Sequence, residues 1–147
     1  MPQKIRVLVA SSDSALRARL FESLVLEPQV EIVGETTSLD DTVQRLRESP
    51  PEVLLVDGIR VQSIRNRVPH SQARLVVFVP ADDLRLCADS LKWGASSLVL
   101  RSAPRERVFE AIQSVCAGGI YIDPDIPGIR AGRQQDWRGP DPLGPVQ

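Results

Sequence analysis

The sequence predicts an α/β protein whose five parallel strands alternate with five helices in a doubly wound (βα)5 sheet. Three observations carry that prediction. The apolar runs IRVLVA at 5–10, VLLV at 53–56 and LVVFV at 75–79 are nearly unbroken. Such runs suit strands covered on both faces, as in a parallel sheet between helix layers. Stretches with apolar residues at helical spacing separate them, and the connections are short, which favours right-handed crossovers between parallel strands.

The first strand, 5–10, runs into Ser11, Ser12 and Asp13, short oxygen-bearing side chains that mark a helix start. Leu16, Leu20 and Leu24 then recur every four residues, with Arg17, Arg19 and Glu22 on the other side, to an end near Leu26 ahead of Pro28. A less buried second strand over 30–35 follows from the alternation of Val30, Ile32 and Gly34 with Glu31, Val33 and Glu35. Ser38 caps a helix over 39–48 that turns Val43 and Leu46 inward and is stopped by Pro50 and Pro51. The third strand, PEVLLVD, ends abruptly in Asp57 and Gly58.

After Asp57 the pattern weakens. Val61, Ile64 and Val68 have helical spacing, but Pro69 cuts the segment short, so a shortened third helix or an irregular loop is expected. A fourth strand over 75–79 is closed by Pro80, and Asp82 or Asp83 caps a helix bearing Leu84, Cys87, Ala88 and Leu91. Trp93–Gly94 ends it with a glycine stop. A short fifth strand spans 97–100. Pro104 opens a fifth helix with Val108, Ala111, Ile112 and Val115 inward, and Gly118–Gly119 end it. Residues 1–123 form one domain. Beyond Pro124 lie four of the chain's 12 prolines and four of its 9 glycines without apolar periodicity, so 124–147 is expected to be a tail or linker.

The totals narrow the function. At 147 residues, 42% hydrophobic and 25% charged, the chain is that of an ordinary globular domain. A net charge of −1 argues against non-specific binding to nucleic acid or anionic membrane. Nothing approaches a membrane span or a signal peptide. Cys87 and Cys116 have no CxxC spacing and fall on helices, which points to reduced core thiols and a cytoplasmic protein.

Ligands of such sheets collect at the carboxyl ends of the strands, which makes Asp57 the principal candidate residue. Ser11 and Ser12 are expected to cap the following helix. The only histidine, His70, is expected in a solvated loop. Gly94, Gly118 and Gly119 are helix stops, since no GxGxxG or GxxxxGK follows a strand. Arg60, Arg65 and Arg67, without interleaved aromatics, are expected to form a solvated face.

The segments KIRVLVASSDSALRARL, VEIVGETTS, PEVLLVDG, ARLVVFVPADD and KWGASSLVLRSAPRERVFEAIQSVCAGGIYIDP resemble, over 4–123, the receiver domains of bacterial two-component response regulators. They are similar in particular to receivers that precede LuxR-type helix-turn-helix domains. The resemblance implies a flavodoxin-like fold and a site in which the aspartate ending strand three accepts a phosphoryl group. In that family two acidic residues after strand one help hold Mg²⁺. A Thr or Ser ending strand four and a Lys ending strand five contact the phosphoryl group, and an aromatic in strand five reports the event.

Only the aspartate is kept in kind. Asp57 matches the phosphoacceptor, while Ser11 and Ser12 stand where the acidic pair belongs and Asp13 falls one position late. Val79 replaces the switch hydroxyl, Leu98 the switch aromatic and Arg101 the lysine, keeping its charge with a different geometry. Neutral hydroxyls are poor Mg²⁺ ligands, so Mg²⁺ binding is expected to be weak or absent and no other cofactor is implied. Phosphoryl transfer depends on metal charge neutralisation and positioned donors. A degenerate receiver, or pseudo-receiver, without catalytic activity is therefore expected, with Asp57 a relic that caps its strand or pairs with Arg101. Alternatives are a phosphorylatable receiver with unusual metal needs, and an anion-binding sensor built on Ser11, Ser12 and Arg101. The resemblance further implies homodimer or partner contacts through the first, fourth and fifth helices, with Phe21, Val25, Trp93 and Phe109 as outward candidates. DNA contact would come only through a domain outside this chain, in two-component signalling or transcription control.

Overall fold

The computed structural model describes residues 3–127. Parallel strands β1 (Ile5–Ala10), β2 (Val30–Thr36), β3 (Val53–Asp57), β4 (Arg74–Val79), β5 (Ser97–Leu100) and β6 (Tyr121–Ile122) form one sheet in the order β2-β1-β3-β4-β5-β6. Helices α1 (Ser14–Leu24), α2 (Leu39–Glu48), α3 (Gly58–Arg67), α4 (Leu84–Lys92) and α5 (Arg105–Cys116) connect them. The chain crosses outward from β1 to β2, then returns past β1 to β3. The carboxyl ends of β1 and β3 thus flank the point where the winding reverses, the usual crevice for function in such sheets.

The sheet has six strands where the sequence predicts five. Tyr121 and Ile122 pair with Ser97 and Leu98 beyond Gly119. Two residues give no periodicity to read, but Ile122 is completely buried against the core. Ile126 is buried too, so the packed domain reaches past 123. Within the expected tail 124–147, residues 128–147 lie outside the described residues.

The third helix also differs from expectation. It is a regular helix of 10 residues, as long as α2, and it starts directly on Gly58 without a connecting loop. Gly58 permits that abrupt start. A Cβ there would lie 3.0 Å from Leu86 Cδ2 and 3.2 Å from Val79 Cγ1, too close for an added side chain without repacking. Val61 and Ile64 turn into the core as their spacing predicts. Strand β2 is irregular rather than alternating. Its register slips opposite Val7 and Leu8, and only Val30 and Thr36 are buried, as suits a sheet edge.

The core is the contiguous set of strand residues 7–10, 53–56 and 75–79, clamped by Leu16, Leu20 and Leu24 of α1 and by Val108, Ala111, Ile112 and Val115 of α5. Gly94 stops α4 with φ +100°, a left-handed conformation that an L side chain rarely adopts. Arg65 donates to the Trp93 carbonyl at that turn (3.0 Å), Arg67 pairs with Asp40 (2.7 Å), and Arg60 is half-buried. The three arginines are thus dispersed and do not form the single solvated face expected. His70 is exposed. Cys87 is buried, with its thiol pushed up to about 11 by burial and by Asp83, whereas Cys116 is only half-buried. No helix among the described residues is long and apolar enough to cross a membrane.

Candidate functional site

Strand β3 delivers Asp57 to the carboxyl edge of the sheet with only 6% of its side chain exposed. A carboxylate at that depth requires compensation from its own chain. Two groups supply it. Ser11, the first residue after β1, donates its hydroxyl to Asp57 Oδ2 at 2.5 Å, and Arg101, the first after β5, donates Nη1 to Oδ1 at 2.5 Å. Arg101 then turns its other nitrogen, Nη2, to Asp13 Oδ2. One guanidinium therefore bridges two carboxylates drawn from the ends of two different strands, using the planar fork that a lysine lacks.

Each member is fixed from behind. The Ser11 hydroxyl accepts the Asp13 N–H (3.0 Å), its N–H donates to the Thr36 carbonyl (3.0 Å), and its carbonyl accepts Arg17 Nη1 (2.6 Å). Asp13, and not Ser11 or Ser12, is the N-cap of α1: its Oδ1 accepts the N–H groups of Ala15 (2.9 Å) and Leu16 (3.2 Å). The Leu16 N–H foremost, then the Ala15 N–H and the Arg101 charge, holds the Asp13 carboxyl below the ordinary carboxylate range. Arg19 of α1 donates to the carbonyls of Arg101 and Ala103, gripping the turn that carries the bridge.

The structure brings Asp57, Ser11 and Arg101 together. Ser12 is exposed at the mouth of a cavity of about 360 Å³ in front of Asp57, with Ile59, Phe78, Pro80, Asp83 and Leu86 also on its wall. Val79 and Leu98 are fully buried within the core. At Val79 no hydroxyl faces Asp57, and Leu98 packs as an aliphatic core residue. The second role of Asp13, as partner of Arg101, is the functional feature that sequence reading missed. A cap at a helix start is a sufficient local explanation for that residue, and the contact spans 88 positions.

A hard divalent cation such as Mg²⁺ calls for six oxygen ligands at about 2.1 Å, usually with carboxylates among them. Here both candidate carboxylates already share the Arg101 guanidinium, and the hydroxyl beside them directs its proton to Asp57. No cluster of three or more His, Cys, Asp or Glu suited to a metal occurs among the described residues. The donor set in this arrangement does not fit Mg²⁺.

No family model matches the chain. It is 25% identical over 131 residues to the transcriptional regulatory protein DegU of Brevibacillus brevis, covering 84% of this chain and 55% of that protein. It is 27% identical over 150 aligned positions to the transcriptional regulatory protein MctR of Rhizobium johnstonii, covering 97% of this chain and 69% of MctR. The signal receiver domain of the response regulator NarL from Mycobacterium tuberculosis superposes with a TM-score of 0.70 at 24% identity, over 80% of this chain and 99% of that domain. Fold and sequence likeness together are those of a response-regulator receiver domain. The chain spans little more than half the length of the first of these relatives, 55%.

Asp13 provides a pH test of the bridge. Its folded-state pKa lies below the unfolded value of about 3.9, so it contributes stability above that pH which is lost as pH falls through the folded value. Asp13→Asn removes this contribution. Urea unfolding is expected to show the variant less stable than wild type at about pH 6 and the gap narrowing towards about pH 3. A gap independent of pH would show that Asp13 acts without its charge.

Proposed function

We propose that this domain is a pseudo-receiver: a signalling module that acts through protein contact, without regulated phosphorylation of Asp57 and without catalytic activity, in cytoplasmic two-component signalling or transcription control. The bridge from Arg101 to Asp57 and Asp13 carries the proposal. In a working receiver the charge on the aspartate is neutralised by a metal that also orients the phosphoryl group, as the resemblance implies. Here a covalently tethered cation, the Arg101 guanidinium, takes that role. It can neutralise Asp57 but cannot release coordination sites to an incoming phosphoryl donor. Val79 and Leu98 remove the hydroxyl and the aromatic through which phosphorylation would be felt.

A second reading keeps Asp57 reactive. The cavity in front of Asp57 supports it, since a small phosphodonor would have room there. The same cavity, with Ser12 and Arg101 on its wall, would also serve an anion sensor. Exposure of the protein to acetyl phosphate or beryllofluoride with Mg²⁺, followed by intact mass and amide NMR, separates these readings. The pseudo-receiver gives no Asp57-dependent change. Saturable, Mg²⁺-dependent modification lost in Asp57→Asn would establish the phosphorylatable receiver, and shifts with phosphate alone would favour the sensor.

The names of DegU and MctR place those proteins in transcription control, and we extend that context to this domain, with DNA contacted through a domain other than this one. Contact through α1 is the favoured mode of self-association. Phe21, Val25 and Leu26 at its end are 40%, 53% and 76% exposed. Trp93 and Phe109, by contrast, are partly buried against the core, and the exposed large apolar residue of α4 is Leu84 at its start, 46% exposed. Light scattering is expected to detect a dimer that Phe21→Asp with Val25→Asp dissociates. A wild-type monomer at high concentration would remove this mode.

A further inference from the structure

Away from the Asp57 site, a second buried carboxylate ties together three elements. Asp123 is 0% exposed. Its Oδ2 accepts the N–H of Leu100, the last residue of β5, at 3.0 Å. Its Oδ1 accepts Arg107 Nη1 of α5 and the N–H of Asp125, each at 2.9 Å. Arg107 also reaches Asp125 Oδ2 at 2.7 Å. The backbone adds two more bonds: Asp123 N–H to the Leu98 carbonyl at 2.8 Å, and Ile126 N–H to the Asp123 carbonyl at 3.1 Å.

The arrangement has a physical cause. Strand β6 ends at Ile122, and the Asp123 carbonyl that a continued ladder would offer to β5 accepts the Ile126 N–H of the following turn. The Leu100 N–H would then be left buried and unpaired, which is costly. The Asp123 carboxylate takes the place of the missing strand carbonyl, and Ile126 closes the core behind it at 1% exposure.

Leu100 is the covalent neighbour of Arg101. The Arg101 N–H donates to the Val79 carbonyl (3.1 Å), its own carbonyl is held by Arg19, and the Leu100 carbonyl accepts the Ala103 N–H (3.0 Å). Segment 100–103 is therefore pinned to Asp57 and Asp13 through one residue and to Asp123 through the next. No flexible residue intervenes.

We propose that Asp123, Arg107 and Asp125 form a latch through which the state of Arg101 sets the order of the segment 123–127. The proposal rests on the bridge reading of Arg101 as the locked state. Release of Arg101 from its two carboxylates removes the side-chain anchor of the turn and leaves it on its backbone bonds and Arg19, which weakens the Leu100 N–H contact and loosens 123–127. Coupling of this kind is reciprocal, so opening the latch also loosens the Arg101 turn.

Hydrogen exchange on the full chain tests this in wild type, the double variant Asp57→Asn with Asp13→Asn, Arg101→Gln and Arg107→Gln, with β1 and β3 amides as the control for global stability. In both site variants the amides of Asp123, Asp125 and Ile126 are expected to exchange about tenfold faster while β1 and β3 keep wild-type rates. In Arg107→Gln the amides of Leu100 and Arg101 gain speed in turn. Wild-type exchange at 123–126 in both site variants overturns the latch. Asp57-dependent phosphorylation would overturn the functional reading by itself, so the two failures are distinguishable.

Discussion

The organisation of this domain turns on one guanidinium placed between two carboxylates. The parallel sheet brings the ends of β1, β3 and β5 to one edge, and the chain sets Asp57 there under cover. Burying a carboxylate without a partner costs several kcal/mol after relaxation, so something at that edge must compensate. Arg101 does so for Asp57 and, with its second nitrogen, for the helix cap Asp13. Because the turns after β5 and β1 supply the two remaining members, the contact joins the chain segments that follow three strands.

Other features follow from that requirement. Ser11 is drawn into the interior because Asp57 Oδ2 needs a donor, and the surrounding backbone and Arg17 satisfy the rest of its polar groups. Arg19 spans from α1 to the turn after β5 because the bridge is useful only if that turn is held. Val79 and Leu98, buried and apolar, belong to the core and present no polar group to the bridge.

Much of this was legible in the sequence because burial on both faces leaves unbroken apolar runs. Strands β1, β3, β4 and β5 and four of the helices stand where periodicity and capping residues put them. Legibility failed where the signal was short or non-local. Tyr121–Ile122 is too brief a strand to show a period, and it exists because β5 offers an open edge. Pro69 suggested a truncated segment after Asp57, yet the helix keeps its 10 residues by starting at once on Gly58. At the site, the proximity of Asp57 and Arg101 could be expected from strand ends alone. The double duty of Asp13 could not, since its local role as a cap already explained it. Trp93 and Phe109 fell off the main apolar stripes but still pack on the core, because large rings reach past the stripe that carries them.

The central claim is that Arg101 holds the position a divalent cation would need. Titration of Mg²⁺ into the ¹⁵N-labelled protein, followed at the amides of Ser11, Ser12, Asp13, Asp57 and Gly58, tests it directly. Arg101 seated on both carboxylates predicts only small, non-saturating shifts at these amides. A saturable shift centred on Asp57 and Asp13, with the Arg101 guanidinium resonance moving in step, would contradict the account.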